Sequence, residues 1–365
     1  MRLPSVVFLW SLSSLALASA QAPSLPPASS SVAPPKVAEL AAVVVSGVQP
    51  GPGMWKVSKG THVMWVLGTL SPLPQSMTWQ SREVASVIAG AQQVLLPPAV
   101  KVKLNTGFFG KLFLLPSAYS ARKNDNGETL QQVLPSAQYA RWQVLKQKYL
   151  GSDRGIERWR PIFAAQQLYK KAIKANGLSN SGGITTTVDA LARQYGVRQT
   201  AVDYQVVIDQ PREAIKAFKS SGLDDAACFS HTLDSIEQDM PAITARANAW
   251  ATGDLQALRQ LPDSDRRGTC ISAVTGAGFA RKLGLDDVPA RLAATWLAAA
   301  HTALISNPQT FALLPMGELL SPTGYLARLK AEGYVVKSPE DQDEDADPTP
   351  GSSSAAPAHA AAAAE

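Results

Sequence analysis

A metal-dependent hydrolytic site is the most demanding chemistry that the His, Asp and Glu side chains of this sequence could supply. Several of them would have to converge on one ion that keeps a position open for water. The four histidines, however, are far apart in the chain: His62, His231, His301 and His359. None belongs to a His-x-x-x-His or His-x-Glu pair, and a single histidine is more often an ordinary surface or core residue than a ligand. The histidines therefore indicate no ready-made metal site.

Two cysteines, Cys228 and Cys270, are the second group with distinctive chemistry. An even count in an oxidising compartment favours one disulfide, and closing a loop of this length would stabilise the fold by about 4 kcal/mol through lost chain entropy. A pair of free buried thiols is the alternative. Two cysteines without nearby paired histidines are too few ligands for a metal site.

The elements that could position a site are clearest near the start of the chain. Residues 53–58 alternate apolar and polar side chains, which is typical of a half-buried strand. After a Lys-Gly turn, residues 63–67 form an apolar run that predicts a strand buried on both faces. Thr69 and Ser71 follow its carboxyl end, where α/β sheets bind ligands. A hairpin followed by an ordinary loop is the alternative interpretation.

Two segments carry a family resemblance. The first contains Met54-Trp55-Lys56-Val57, Val66-Leu67-Gly68-Thr69, Leu73-Pro74 and Trp79, and the second is residues 310–336, TFALLPMGELLSPTGYLARLKAEGYVV. In this order they resemble the opening and closing elements of the TraB/PrgY/GumN family, which are relatives of the Tiki metalloproteases. The resemblance covers residues 53–337.

The resemblance and the apolar pattern together predict one α/β domain over residues 41–338, in which many helices flank a central mixed sheet. The predicted strands are residues 53–58, 62–68, 93–96, 197–202, 311–314 and 334–336. Residues from about 205 to 285 are expected to form a largely helical insert. For Val100 to Leu115 the expectation is an extra strand or hairpin.

The resemblance also implies where a metal site would lie. The implied cleft positions, all at one end of the sheet, are Thr69, Ser71, Asp203 and Glu318. Ser71 stands where the family has the histidine of Gly-Thr-x-His, and Glu318 stands where it has the histidine of Gly-His-Leu. Pro97 replaces a glutamate that follows the second strand, while Asp203 keeps a carboxylate at the Leu-Glu position. The family's helical arginine corresponds to Arg291.

These replacements favour a degenerate site and a pseudoenzyme that binds an envelope peptide or polymer, with no cofactor. The alternative is a divergent metal-dependent peptidase or hydrolase, which would hold a divalent transition metal through the weak candidate ligands Asp203 and Glu318. A scaffold role of the surface and the charged tail is a third possibility. Ser71 as a nucleophile lacks both a Gly-x-Ser-x-Gly elbow and a partnered histidine.

The two ends of the chain indicate export. Residues 1–20 combine a basic start, an apolar core and a small-residue cleavage site, which predicts a signal peptide. Residues 21–40, rich in Pro, Ser and Ala, predict a disordered linker, and residues 339–365, acidic and then rich in Ala, Ser and Pro, predict a disordered tail. No stretch is long enough for a transmembrane segment. The expected location is periplasmic or extracellular.

The charge is unevenly distributed. Residues 21–339 carry 33 Lys and Arg against 22 Asp and Glu, whereas residues 340–365 carry seven acidic residues and no basic one. A basic core favours anionic envelope surfaces or polymers as partners. No Arg/Lys cluster is interleaved with aromatic residues, so nucleic acid is not an expected partner. A solvated basic surface partly screened by the tail is the alternative.

Overall fold

The structure is a computed structural model, and it describes residues 52–77, 79, 82–180, 183–221, 225–261 and 266–346. The predicted signal peptide and linker, and the tail beyond residue 346, lie outside the described residues. No helix in the described part of the chain combines the length and the apolar character that a membrane span needs.

The strands of the described chain are β1 (Met54–Lys59), β2 (His62–Thr69), β3 (Leu73–Pro74), β4 (Gln93–Leu104), β5 (Leu178–Ser179), β6 (Arg198–Ile208), β7 (Gln309–Pro315) and β8 (Val335–Lys337). Six of them form one mixed sheet in the order β6-β4-β7-β2-β1-β8, and β3 pairs separately with β5. Neighbours from β6 to β2 are parallel, while β1 is antiparallel to both β2 and β8. The predicted α/β fold with a central mixed sheet is confirmed.

Helices occupy most of the remaining described chain. They are α1 (Arg82–Gly90), α2 (Phe108–Ala121), α3 (Leu130–Val133), α4 (Ser136–Tyr149), α5 (Pro161–Ala175), α6 (Gly183–Gln194), α7 (Pro211–Lys219), α8 (Ala226–Asp234), α9 (Met240–Thr252), α10 (Leu255–Gln260), α11 (Arg266–Thr275), α12 (Gly278–Lys282), α13 (Val288–Ser306), α14 (Met316–Leu320), α15 (Tyr325–Ala331) and α16 (Pro339–Ala346). A π-helical turn joins α8 to α9.

Strands β4 and β6 are much longer than the sequence predicted. β4 pairs with β7 only over Gln93–Leu95, but its pairing with β6 continues to Leu104. Residues 98–104 of β4 and 202–208 of β6 therefore form a two-stranded extension, here called the arm. The extra strand or hairpin expected for Val100 to Leu115 is wrong, because the segment divides between β4 and α2. Periodicity alone does not distinguish a strand from a helix in such an apolar run.

Two separate hydrophobic cores support the chain. One surrounds the sheet and includes the fully buried Trp250, Trp296 and Phe311. The other lies among helices, where Trp142 of α4 packs against Phe229 of α8 with ring centroids 5.6 Å apart. Helices that precede β6 in the chain thus share a core with helices that follow it.

Cys228 of α8 and Cys270 of α11 form a disulfide, with their Cα atoms 4.6 Å apart. The predicted pairing is confirmed, and the alternative of two free thiols is wrong. The sulfur of Cys228 is buried at the helical core, whereas α11 lies at its margin. The bond therefore ties a peripheral helix to a well-packed one.

The expected disorder of residues 339–365 is wrong for residues 339–346, which form α16. Ser338 and Asp341 exchange capping bonds at the start of this helix, at 2.8 and 3.2 Å. Arg259 of α10 also holds Glu340 in an ion pair at 2.9 Å. Amino-acid composition predicted disorder here because composition contains no information on the helix cap formed by Ser338 and Asp341 or on the distant partner Arg259.

Gly68, near the carboxyl end of β2, is a point of close packing. A Cβ at this position would overlap Met316 Cε and would lie 3.0 Å from Leu319 Cδ1, both on α14. The carbonyl of Gly68 also accepts a hydrogen bond from the indole N–H of Trp250 at 2.8 Å. The absence of a side chain therefore lets α14 pack closely on the end of this strand, while the carbonyl group of Gly68 binds Trp250 of α9.

Gly68→Ala is expected to lower the free energy of unfolding by about 1–3 kcal/mol, because the new methyl group overpacks the contact with α14. Met316→Ala alone should cost about 2–5 kcal/mol, as a buried side chain is lost. The double variant should lose less than the sum, since the shortened side chain makes room for the methyl group. Urea unfolding of the four proteins measures this, and strictly additive losses would contradict the contact.

Candidate functional site

The carboxyl ends of the parallel strands lie along one edge of the sheet. Thr69 ends β2 and pairs with Pro315, the last residue of β7, while Asp203 of β6 pairs with Ala99 of β4. Because β4 and β7 stand between β2 and β6, three strand spacings of about 4.8 Å separate Thr69 from Asp203, roughly 14 Å in all. Convergence of the four positions on one site stays a prediction, and this spacing weighs against an ion shared by both residues.

Thr69 and Ser71 make hydrogen bonds that hold the exit of β2 in place. The Thr69 hydroxyl donates to the carbonyl of Leu314 on β7 at 3.2 Å. The exposed Ser71 hydroxyl donates to the Oδ1 atom of Asn180 at 3.3 Å, just after β5. Neither hydroxyl is bonded to a histidine within the described chain. These two residues are therefore placed to stabilise the loop, and within the described residues no histidine is bonded to Ser71 as a nucleophile would require.

Asp203 lies on the arm and is held by a lysine. Lys101 Nζ is 2.5 Å from Asp203 Oδ2, and the parallel register puts both side chains on the same face of the arm. The register of β4 against β6 shifts between Leu95 and Pro98. Pro97, the position at which the resemblance implies a glutamate, falls inside this irregularity. Sequence reasoning did not identify Lys101, because its partner lies about a hundred residues away.

Arg291 lies on the opposite face of β6 from Asp203. Its Nε atom is 2.5 Å from Asp287 Oδ2, and Asp287, followed by Tyr204, raises the pKa of the Arg291 guanidinium. Tyr204 is adjacent to Asp203 in the strand, so the two side chains point to opposite faces. The arginine that the resemblance implies for the site is thus separated from the Asp203 carboxylate by the strand itself.

Glu318 lies in the first turn of α14, directly after β7. Its neighbour Tyr325 is buried and packs on Trp296 with ring centroids 5.3 Å apart. Burial, and next the Glu318 carboxylate, raises the pKa of Tyr325 to about 12. A Cβ at Gly324 would overlap the carbonyl oxygen of Glu318, so this turn requires glycine. Glu318 therefore lies near enough to Tyr325 to disfavour ionisation of its phenol.

Two of the four histidines, His62 and His301, have structural partners. His62 Nδ1 lies 2.9 Å from the carbonyl oxygen of Asn307, and His301 contacts Glu332 at 2.7 Å. His359 lies outside the described residues. Across the described ranges, no three His, Cys, Asp or Glu side chains are grouped so that they could hold a metal ion. The residues present do not fit the transition metal that the resemblance implies.

Comparison with protein families decides which group this fold represents. Residues 53–338 match the TraB/PrgY/gumN family. The chain belongs to this family. No curated protein and no solved structure matches the chain. The TraB/PrgY/gumN match covers both the β2 exit and α14, so Thr69, Ser71 and Glu318 all belong to the family domain.

The same family domain contains a cavity of about 760 Å³ between α5, α8 and α11 that sequence reasoning missed. Its wall includes the Cys228–Cys270 disulfide, and it extends to Asn180, the partner of Ser71. The side chains that line it are mostly apolar or amide, among them Gln75, Ile162, Gln166, Tyr169, Ile173, Asn180, Ile271 and Val274. Lys170 and Lys174 add positive charge. The helices come from distant parts of the sequence, so no local pattern indicates the cavity.

Glu318→Gln is expected to lower the pKa of Tyr325, because it removes a negative charge while burial of the phenol remains. The raised pKa also means that Tyr325 stabilises the fold fully below its ordinary pKa of about 10, and that this contribution is lost as the pH rises towards 12. Titration of phenolate absorbance, with Tyr325→Phe subtracted, measures the shift. Glu213→Gln on α7 is the control, and an unchanged pKa in Glu318→Gln would contradict the proximity.

Proposed function

We propose that this TraB/PrgY/gumN protein is exported and works in the cell envelope as a non-catalytic binding protein. The observation that carries the proposal is the ion pair of Asp203 with Lys101 at 2.5 Å. A metal ion that used this carboxylate would have to displace the Lys101 side chain, which is 66% exposed, or bind beside its charge. Export is supported by the predicted signal peptide and by the disulfide, which is typical of oxidising compartments.

Electrostatics explains why this pair disfavours a catalytic metal. A divalent cation bound by Asp203 would lie within a few ångströms of the Lys101 ammonium group. Near a protein surface, like unit charges at about 4 Å repel by about 1–4 kcal/mol. Catalytic zinc sites use three protein ligands. Here the hydroxyl of Ser71 and the ring of Pro97 replace an imidazole and a carboxylate that the resemblance implies, so the compensating ligands are missing as well.

The cavity between α5, α8 and α11 supports binding as the remaining function. Its volume of about 760 Å³ is in the usual range for ligand sites, and apolar walls with a few polar groups are typical of them. Lys170 and Lys174 lie one turn apart on α5. Their charges would favour a ligand with carboxylates, so we infer that the partner is an acidic peptide or envelope polymer segment.

The purified, exported protein is expected to contain no stoichiometric transition metal by mass spectrometry and to bind zinc, manganese or cobalt weakly in titration calorimetry. Asp203→Ala should leave this weak binding unchanged, because Lys101 already occupies the carboxylate. The double variant Ser71→His and Pro97→Glu, which restores the family residues, should bind metal more tightly.

Asp286→Ala, which removes an exposed carboxylate, is the control for these titrations. Tight metal binding by the unmodified protein that Asp203→Ala or Glu318→Ala abolishes, and that Asp286→Ala preserves, would overturn the non-catalytic proposal. The divergent hydrolase would then be the correct interpretation.

Replacing both Lys170 and Lys174 by Gln is expected to weaken binding of a fluorescent glutamate-rich peptide by about threefold to tenfold, since each exposed charge pair contributes up to about 1 kcal/mol. Fluorescence anisotropy measures the affinity. The matched control replaces Lys148 and Lys171, which are exposed and do not line the cavity. Equal weakening in both double variants would show that only net charge matters and that the cavity is not the site.

A further inference from the structure

Helix α2 exposes an unusually apolar face. The exposed fractions of Phe108, Phe109 and Phe113 are 77%, 72% and 69%, and three more large side chains are exposed beside them: Leu112, Leu115 and Tyr119. These six residues are here called the α2 face. The opposite side of the helix is anchored through the buried Leu114 and Ala121. The helix is therefore fixed to the protein while its apolar face points outwards.

Such a face is costly in water. Helices that are apolar all round are normally buried in a large core or in a membrane, and a contiguous exposed apolar patch usually marks an interaction site. On the arm that precedes α2 in the chain, Val100 and Val102 are also exposed. We therefore expect a binding partner with an apolar region to cover the α2 face.

The surroundings of the α2 face are strongly basic. Residues 99–124 contain no Asp or Glu and five basic side chains: Lys101, Lys103, Lys111, Arg122 and Lys123. Lys101 forms an ion pair with Asp203 of β6. The segment itself supplies no acidic side chain to the other four. An occupant of the α2 face therefore has to combine an apolar region with negative charge at its edge.

Helix α7, which packs against α2, supplies a second set of cations. Arg212, Lys216 and Lys219 are spaced so that they share one face of α7, and all three are exposed. They line a cleft of about 740 Å³ between α7 and Phe113, together with the carboxylate of Asp125. The cleft is large enough for phosphate headgroups and opens beside the apolar face.

We infer that the α2 face binds the surface of an anionic phospholipid bilayer. Helices with Phe and Leu on one face and Lys or Arg beside it lie in the membrane interface, with the apolar side chains at the acyl boundary. Anionic headgroups attract each nearby Lys or Arg. A second copy of the chain is the weaker choice, because a symmetric contact would place the same basic residues against each other.

This placement gives each group a distinct part. Phe108, Phe109 and Phe113 enter the interface, Lys111 and the α7 cations contact phosphates, and Arg122, stacked 3.5 Å from the Tyr119 ring, keeps a charge at the rim. The inference rests on the envelope association proposed above and specifies its surface. It does not depend on whether the Asp203 region binds metal, so the two can fail separately.

The test uses the full exported chain and vesicles of equimolar phosphatidylglycerol and phosphatidylcholine, compared with vesicles of phosphatidylcholine alone, in a sedimentation assay. Binding is expected to the anionic vesicles only. Replacing both Phe109 and Phe113 by Ser should weaken it at least about tenfold. Replacing Arg212 and Lys216 by Gln should weaken it by about fivefold for each charge removed.

Matched controls replace equally exposed residues elsewhere. Val144→Ser and Ile305→Ser remove apolar side chains that are 70% and 73% exposed, and Lys148→Gln with Lys171→Gln removes two charges. Both controls should keep full binding. Thermal unfolding checks each variant, and the single variants Phe109→Ser and Phe113→Ser replace the double one if it does not fold.

Three results would overturn the inference. One is the absence of binding to either kind of vesicle, and another is binding that the control variants weaken as much as the α2 variants do. The third is a lipid-free dimer, seen by analytical ultracentrifugation, that the Phe109 and Phe113 variants dissociate. That result would assign the α2 face to a second copy of the chain. Failure of the metal prediction would change none of these readouts.

Discussion

The packing at the carboxyl end of β2 is the constraint on which the rest of the structure depends. Parallel pairing joins Thr69 to Pro315, nearly 250 residues later in the chain, and Gly68 allows α14 to approach this junction without a clash. The Trp250 indole donates to the same strand end. The end of β2 thus contacts strand β7, helix α14 and helix α9.

The residues that make these contacts differ from most of the residues at which the resemblance implies ligands. Gly68 and Thr69, the Gly-Thr pair of the family resemblance, make structural contacts. Gly68 contacts α14 and accepts a hydrogen bond from Trp250, and Thr69 donates to the carbonyl of Leu314. Ligand positions further along, such as Ser71 and Pro97, take no part in these contacts. Replacing Ser71 or Pro97 would therefore leave the contacts of Gly68 and Thr69 intact.

Alternation and an apolar run were sufficient to predict β1 and β2. The family resemblance predicted the closing strands, and the even number of cysteines favoured the disulfide. The arm, α14 and the cavity depend on partners far away in sequence. Residues 100–104 are a strand because they pair with β6, and residues 108–115 belong to a helix that packs against α7. The sequence of this segment alone indicates neither partner.

The length of the arm connects two features of this structure, the ion pair of Lys101 with Asp203 and the exposed α2 face. Because β4 and β6 continue pairing past the end of β7, Lys101 comes to lie beside Asp203 and neutralises it. The same extension carries α2 and α7 beyond the sheet, where the α2 face and its cations are exposed together. The same strand extension therefore brings Lys101 to the Asp203 carboxylate and places an apolar, basic surface at the tip.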